Sequence, residues 1–207
     1  MKLTWYFDVI SPYAHLALPR VLALGEAMEG GVELRPIVFG AVLSHWGQLG
    51  PAEIAPKRVQ TYRQTQFQAG EAGIPLRYPP RHPFRSLEAM RLLTALRGDP
   101  SAVQAAFAFI WAEGRDPHEE AAALRARLPP VTEEALLAAK DSLRAATDAA
   151  IAAGVFGVPT LAIGEELFWG ADAMPMAEAF LADPALFQRG EMARLATLPT
   201  GIERRRG

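Results

Sequence analysis

From Leu3 to Phe7, β-branched and aromatic positions alternate, the two-residue period of a half-buried or buried strand. The period then changes. Apolar Leu16, Leu18, Val21, Leu22 and Leu24 recur at helical spacing behind Pro12, which suits a first helical turn where its missing N–H removes no bond. Gly25 to Gly30 ends that run, and residues 32–38 read as a second strand. A β–α–β opening of this kind predicts a parallel strand pair joined by a crossover helix.

Beyond residue 40 the texture changes again. Residues 40–56 read as an aromatic-dotted loop, residues 56–73 as a helix, and residues 74–83, with four prolines, as an irregular connection. Ser86 is placed to cap a helix running to Leu96, stopped by Gly98 and Pro100. Ser101 with Gln104 reads as a capping box for a helix through Trp111. Residues 117–128 give a further helix, and Thr132 caps a long Ala-rich segment reaching Gly154, in one piece or two. Strand texture returns at residues 160–163 and 167–169 around Gly164-Glu165-Glu166, a hairpin signal, and residues 173–181 form a last amphipathic helix. The order predicts an α/β fold: residues 1–40 with 150–207 as one discontinuous sheet domain, interrupted by an all-helical insertion over 41–149.

Composition narrows the chemistry. The 207 residues carry a formal charge of −2 and no long single-sign block, so nucleic acid is not an expected partner. Arg204-Arg205-Arg206 reads as a solvated tail. No apolar run approaches the roughly 18 residues of a membrane span, and the first residues lack a secretory pattern, so a cytoplasmic protein is expected. The chain has no cysteine, which removes disulfides, thiolate metal sites and any protein-borne dithiol chemistry. His15, His45, His82 and His118 are scattered without metal-ligand spacing, and no metal is expected; His15 reads as a helix-surface residue.

Two short motifs carry the candidate chemistry. Ser11 stands where the first strand ends and a helix begins, where unpaired backbone N–H groups and the helix dipole favour an anion. Val158-Pro159-Thr160 opens a strand. Pro159 there is either the start of an edge strand or a cis-proline, which would turn the Val158 backbone outward to pair with an extended peptide.

Four segments in order resemble one family. They are residues 6–13, residues 47–57, residues 79–91, and residues 154–160 running on to Phe168-Trp169-Gly170-Ala171-Asp172. Together the chain resembles the 2-hydroxychromene-2-carboxylate isomerases, relatives of kappa-class glutathione transferases and DsbA-like oxidoreductases, from residue 2 to about residue 181. The resemblance implies a thioredoxin-like fold (βαβ…ββα) with glutathione as cofactor. It implies that Ser11, where the redox branch has a cysteine, donates a hydrogen bond to the glutathione sulfur. It further implies that Val158, before Pro159, pairs with the cysteinyl amide, that Ala171 and Asp172 receive the γ-glutamyl group, that Lys57 meets a carboxylate, and that Gln48 supplies an amide contact. The activity implied is a glutathione-dependent cis-trans isomerase acting on a small aromatic carboxylate, by reversible thiolate addition. A kappa-like transferase and a non-catalytic thiol- or peptide-binding module are the alternatives, and a homodimer is the implied assembly. Ala173 stands where the family often has arginine and Arg85 where asparagine is common, so Arg85 either binds an acidic substrate or simply starts the helix. Tyr6, Tyr13, Trp46 and Trp169 are the aromatic candidates for flanking a planar substrate.

Overall fold

The computed structural model describes residues 1–201; the expected solvated arginine tail at 204–206 lies outside the described residues. Four strands form one mixed sheet in the order β2-β1-β3-β4. Strand β1 (Leu3–Phe7) pairs in parallel with β2 (Glu33–Pro36) and antiparallel with β3 (Thr160–Ile163), which pairs antiparallel with β4 (Glu166–Trp169). Every residue of β1 is buried, because both of its faces are covered. Trp5 and Phe7 point to one side, their rings 4.8 Å apart, and join Phe107, Phe109 and Trp111 in the main core. Tyr6 points to the other side and packs in a smaller cluster with Ile37, Val42, Ala150 and Val155. The main core runs without interruption from the sheet into the helical region.

Helix α1 (Pro12–Ala27) follows β1 directly, and α2 (Phe39–Trp46) occupies part of the stretch expected to be loop. Phe39, Val42, Leu43 and Trp46 of α2 fall at helical spacing although only Val42 is buried; Gly47, at φ 61°, closes the helix. A short 3-10 turn at Pro51–Glu53 leads into α3 (Ala55–Ala72). Helix α4 (Leu87–Ala95) starts after Ser86, whose hydroxyl makes no cap bond and instead reaches the buried Asp8 carboxyl. Helix α5 (Pro100–Phe107) is capped by Asp99, which accepts from the Ala102 N–H at 2.9 Å; Ser101 lies inside the helix rather than at its cap. The strong Asx cap one residue before Pro100 displaces the expected box. The helix then widens into a π turn over Ala108–Ala112 that buries Phe109, Ile110 and Trp111.

Helix α6 covers only Ala121–Arg127, because Asp116 takes the His118 and Glu119 N–H groups and holds residues 117–120 in turns. Helix α7 (Glu133–Ala152) is one unbroken piece, capped by Thr132 as expected. After the hairpin come α8 (Met174–Ala182) and two elements not anticipated, a 3-10 turn at Leu186–Gln188 and α9 (Gly190–Leu195). No helix among the described residues is long and apolar enough to cross a membrane. His15 is buried, contrary to the expectation of a surface residue: its Nε2 lies 2.8 Å from the Pro75 carbonyl and its ring stacks near Phe107. The segment after α3 folds back over that part of α1 and covers it.

Candidate active-site cleft

A cleft of about 670 Å³ opens where the carboxyl end of β1 meets the helical region. At its floor, Ser11 is the N-cap of α1, 6% exposed. Its oxygen accepts from the Ala14 N–H at 3.3 Å and its hydroxyl donates to the Val158 carbonyl at 3.4 Å. The second contact is long for an O–H···O bond, whose usual distance is about 2.7–2.8 Å. The hydroxyl hydrogen is therefore loosely held, while the oxygen stays anchored to the helix backbone.

Four side chains fix the turn that presents Ser11. The Asp8 carboxyl accepts from the Ile10 N–H at 3.1 Å and the Phe39 N–H at 3.0 Å. Trp111 Nε1–H donates to the Val9 carbonyl at 2.8 Å, and His82 Nε2–H donates to the Ile10 carbonyl at 2.9 Å. Met90 sulfur faces the Val9 N–H at 3.4 Å. Burial pushes the Asp8 carboxyl above the ordinary aspartate value against these hydrogen bonds.

The wall opposite α1 comes from Phe156, Gly157, Val158, Trp169 and Gly170. The Val158–Pro159 bond is cis. Among the described residues no group accepts the Val158 N–H, which leaves a donor at the cleft for an extended ligand. The Pro159 carbonyl is taken by the Gly170 N–H at 2.9 Å, so Pro159 shapes the wall without lining it. Asp172 lines the cleft and is exposed, while Ala171 packs behind it against the core. Asp172 makes no cap bond for α8, whose N-cap residue is Ala173. Gly170 has φ 96°, and a Cβ there would lie 2.4 Å from the Asp172 carboxylate.

The third wall is α2, the turn after it and α3. Gly47 and the Gln48 N–H close α2 in a Schellman turn, the latter bonding the Leu43 carbonyl at 2.9 Å, and this sets Gln48 at the cleft. Lys57, Thr61, Gln64 and Gln68 form one stripe of α3 facing the cleft. Lys57 is exposed in the first turn of α3, a place where the helix dipole favours an anion, so nothing local to the helix calls for its charge. Tyr13 stands between the walls and donates to Gln64 at 3.3 Å. Burial, and secondarily the Asp172 charge, push its phenol above the ordinary tyrosine value.

Of the residues singled out from sequence, Ser11, Gln48, Lys57, Val158 and Asp172 share this cleft, and Pro159 and Ala171 support it from behind. Among the aromatic candidates, Tyr13 and Trp169 line it, whereas Tyr6 is in the core beneath the sheet and Trp46 turns its Nε1–H to the Val155 carbonyl. Arg85 is outside the lining residues. Sequence reasoning missed His82, Phe156 and the Thr61–Gln64–Gln68 stripe; the last was legible as polar side chains repeating at helical spacing after Lys57.

The model of the DSBA-like thioredoxin domain matches residues 2–182, nearly all of the chain. The chain belongs to this family. It is also similar to the 2-hydroxychromene-2-carboxylate isomerase of Pseudomonas putida, 29% identical over 195 residues that take in 86% of the chain and 93% of that protein. Glutathione S-transferase kappa 2 of Caenorhabditis elegans is 26% identical over 205 residues, covering 87% of the chain and 91% of that protein. A solved structure of a 2-hydroxychromene-2-carboxylate isomerase matches 97% of this chain and 100% of its own length, with a TM-score of 0.74 and 26% identity. The resemblance read from the four sequence segments holds, and so does the thioredoxin-like fold. The DsbA-like chain described here reaches its helix-capping position at Ser11 with a hydroxyl and has no cysteine anywhere.

Proposed function

We propose that this protein is a glutathione-dependent isomerase in which Ser11 holds the sulfur of the bound tripeptide. The observation that carries the reading is the pairing of Ser11 Oγ with the Val158 carbonyl at the cleft floor, in a chain without cysteine. A thiol brought by a ligand is the natural occupant of a site built where a cysteine would otherwise act. A free thiol has a pKa of about 8.5, so only a few per cent is thiolate at pH 7. A hydroxyl donor and the N-terminus of a 16-residue helix both favour the charged form.

In this reading the Val158 N–H pairs with the cysteinyl carbonyl, Asp172 receives the γ-glutamyl ammonium, and Lys57 receives a carboxylate, with Gln48 adding an amide contact. Ala171 and Pro159 act by holding the wall. Opposite charges on two walls of the cleft match the opposite charges that a short peptide carries. The domain division at residues 41–149 belongs to the same proposal: the helical insertion supplies Lys57 and the α3 stripe, the sheet domain supplies the sulfur site.

The chemistry is covalent catalysis by a borrowed nucleophile. The bound thiol loses its proton to water. The thiolate adds to the conjugated carbon of an unsaturated aromatic acid, and the electron pair of the double bond moves onto the substrate carbonyl oxygen. The former double bond rotates as a single bond. Collapse of the enolate expels the thiolate and restores the double bond in the other geometry, with no oxidant or reductant consumed. Tyr13, Phe156 and Trp169 offer flat faces for the planar substrate.

The test is thermal stability with and without millimolar glutathione, followed by mass spectrometry of turnover mixtures with 2-hydroxychromene-2-carboxylate. A ligand at 100 times its dissociation constant adds about 2.7 kcal/mol of stability. A clear upward shift with free glutathione recovered supports the isomerase. A stable conjugate points to the kappa-like transferase, and binding without turnover to a thiol-binding module; no shift contradicts the glutathione site.

A further inference from the structure

His82 has no role in the reading above, yet it touches the element that presents Ser11. It lies within the proline-rich connection, just before Pro83, with the His82–Pro83 bond cis. Its ring lies at the cleft and is surrounded by Tyr62, Tyr78, Phe84 and Trp111, with ring centroids at 5.4, 5.8, 5.8 and 5.5 Å.

The proton pattern on the ring follows from its neighbours. The Ile10 carbonyl, 2.9 Å from Nε2, can only accept, so Nε2 carries the hydrogen. In the neutral ring Nδ1 is then an acceptor, and the Tyr62 hydroxyl sits 2.9 Å from it and 2.8 Å from the His82 carbonyl. Burial pushes the imidazole below the ordinary histidine value, which keeps this neutral tautomer at neutral pH. Nε2 is thus engaged by the Ile10 carbonyl, and the single Tyr62 hydroxyl hydrogen is shared between Nδ1 and the His82 carbonyl, which braces the ring.

What it does instead is hold a peptide plane. The Ile10 N–H is fixed by Asp8 and the Ile10 carbonyl by His82, so both polar groups of the residue before Ser11 are held by side chains. Tyr62 belongs to α3, the helix that carries Lys57, Thr61, Gln64 and Gln68. The line Tyr62–His82–Ile10–Ser11 therefore ties the wall facing the ligand's charged end to the floor that receives its sulfur.

We propose that His82 is a positioning residue that, braced by Tyr62, fixes the Ile10–Ser11 peptide and thereby the aim of the Ser11 hydroxyl at a bound thiol. The inference rests on the glutathione reading. Losing the His82 contact leaves Ser11 in place as an N-cap, with its N–H still on the Asp8 carbonyl at 3.1 Å, but releases the carbonyl side of the peptide before it, so the hydroxyl loses part of its orientation. The effect falls on the sulfur and not on the peptide ends of the ligand.

The experiment titrates the thiol of bound glutathione by its ultraviolet thiolate absorbance in wild type, His82→Leu, His82→Gln and Tyr62→Phe. S-methylglutathione binding, which has no thiol to ionise, is measured alongside. In wild type the bound thiol is expected below the free value of about 8.5. In His82→Leu the thiolate fraction at pH 7 falls about fivefold, the ratio that one net hydrogen bond carries, while S-methylglutathione affinity stays within about twofold. His82→Gln, whose amide N–H reaches the same carbonyl, restores the wild-type value. Tyr62→Phe keeps the ring stack and moves the thiol in the same direction as His82→Leu; it carries the test should that variant not fold.

An unchanged bound-thiol pKa in both His82→Leu and Tyr62→Phe overturns the proposal. So does equal weakening of S-methylglutathione and glutathione, which marks general damage to the cleft. A wild-type protein that binds neither ligand overturns the glutathione reading itself, an outcome visible before any variant is compared.

Discussion

The hydroxyl oxygen of Ser11 lies 3.4 Å from the carbonyl oxygen of Val158, across 147 positions of sequence. One residue caps the helix that follows the first strand and the other lies just before the third, so the sheet itself brings them together: Tyr6 of β1 pairs with Thr160 of β3. The Ser11–Val158 pair is thus fixed by backbone register. Replacing Ser11 with Ala removes the donor and the N-cap together. The cap loss costs about 1 kcal/mol of stability, measured by denaturant melts without ligand, and leaves the fold intact.

The two charged ends of the cleft are separable. Lys57→Gln and Asp172→Asn each remove one ion from an exposed position, so each is expected to weaken glutathione by about fivefold rather than abolish it. Both losses shrink as salt rises, because exposed pairs are screened. Isothermal titration at low and high salt checks this. A salt-independent affinity in wild type would remove the charge-pairing argument.

Gly157 packs under the Trp169 indole so closely that a Cβ would fall 2.4 Å from Nε1. Gly157→Ala forces the indole away from its contact with Phe156, whose ring centroid is 5.1 Å away. We expect a loss of about 1–3 kcal/mol and a shift in tryptophan emission. Weaker ligand binding should accompany both, since Phe156 and Trp169 line the cleft.

Two buried histidines give the protein a direction in pH. Burial holds His15 and His82 below the ordinary value, so the unfolded chain binds protons more readily than the fold does. Their contribution is intact above about pH 6.5, the unfolded histidine value, and is lost as pH falls from there toward the folded values. Asp8 works in the opposite sense: its raised carboxyl disfavours the fold as pH climbs above the ordinary aspartate range. Comparing wild type with His15→Leu between pH 7 and 5 isolates the histidine part, because His15 is away from the cleft lining. The variant is expected to lose stability less steeply on acidification.

Much of this arrangement is legible in the sequence where local chemistry decides alone. The alternation over Leu3–Phe7, the cap at Thr132 and the Gly164 turn have their signals in adjacent residues, and the strands and α7 fall where they point. Helix α2 does carry a signal, since Phe39, Val42, Leu43 and Trp46 fall at helical spacing, but eight residues containing Gly40 give it little length to stand out from loop. Helix α9 is not legible, because none of its residues is buried. Asp99 outcompetes Ser101 for the cap because its side chain stands one residue before Pro100, which can occupy the first helical position. At the site, Ser11 and Val158 are marked by their motifs, whereas His82 is invisible: its partners, Ile10 and Tyr62, are 72 and 20 positions away, and only the tertiary fold joins them.

In the glutathione reading, Ser11 acidifies a thiol the protein does not own. Titrating the thiolate of bound glutathione in wild type and Ser11→Ala measures this directly. The wild-type value is expected a unit or more below the free thiol's pKa of about 8.5 and the Ser11→Ala value back toward it, with S-methylglutathione bound equally by both. Equal thiol pKa values in the two proteins would leave Ser11 without that role.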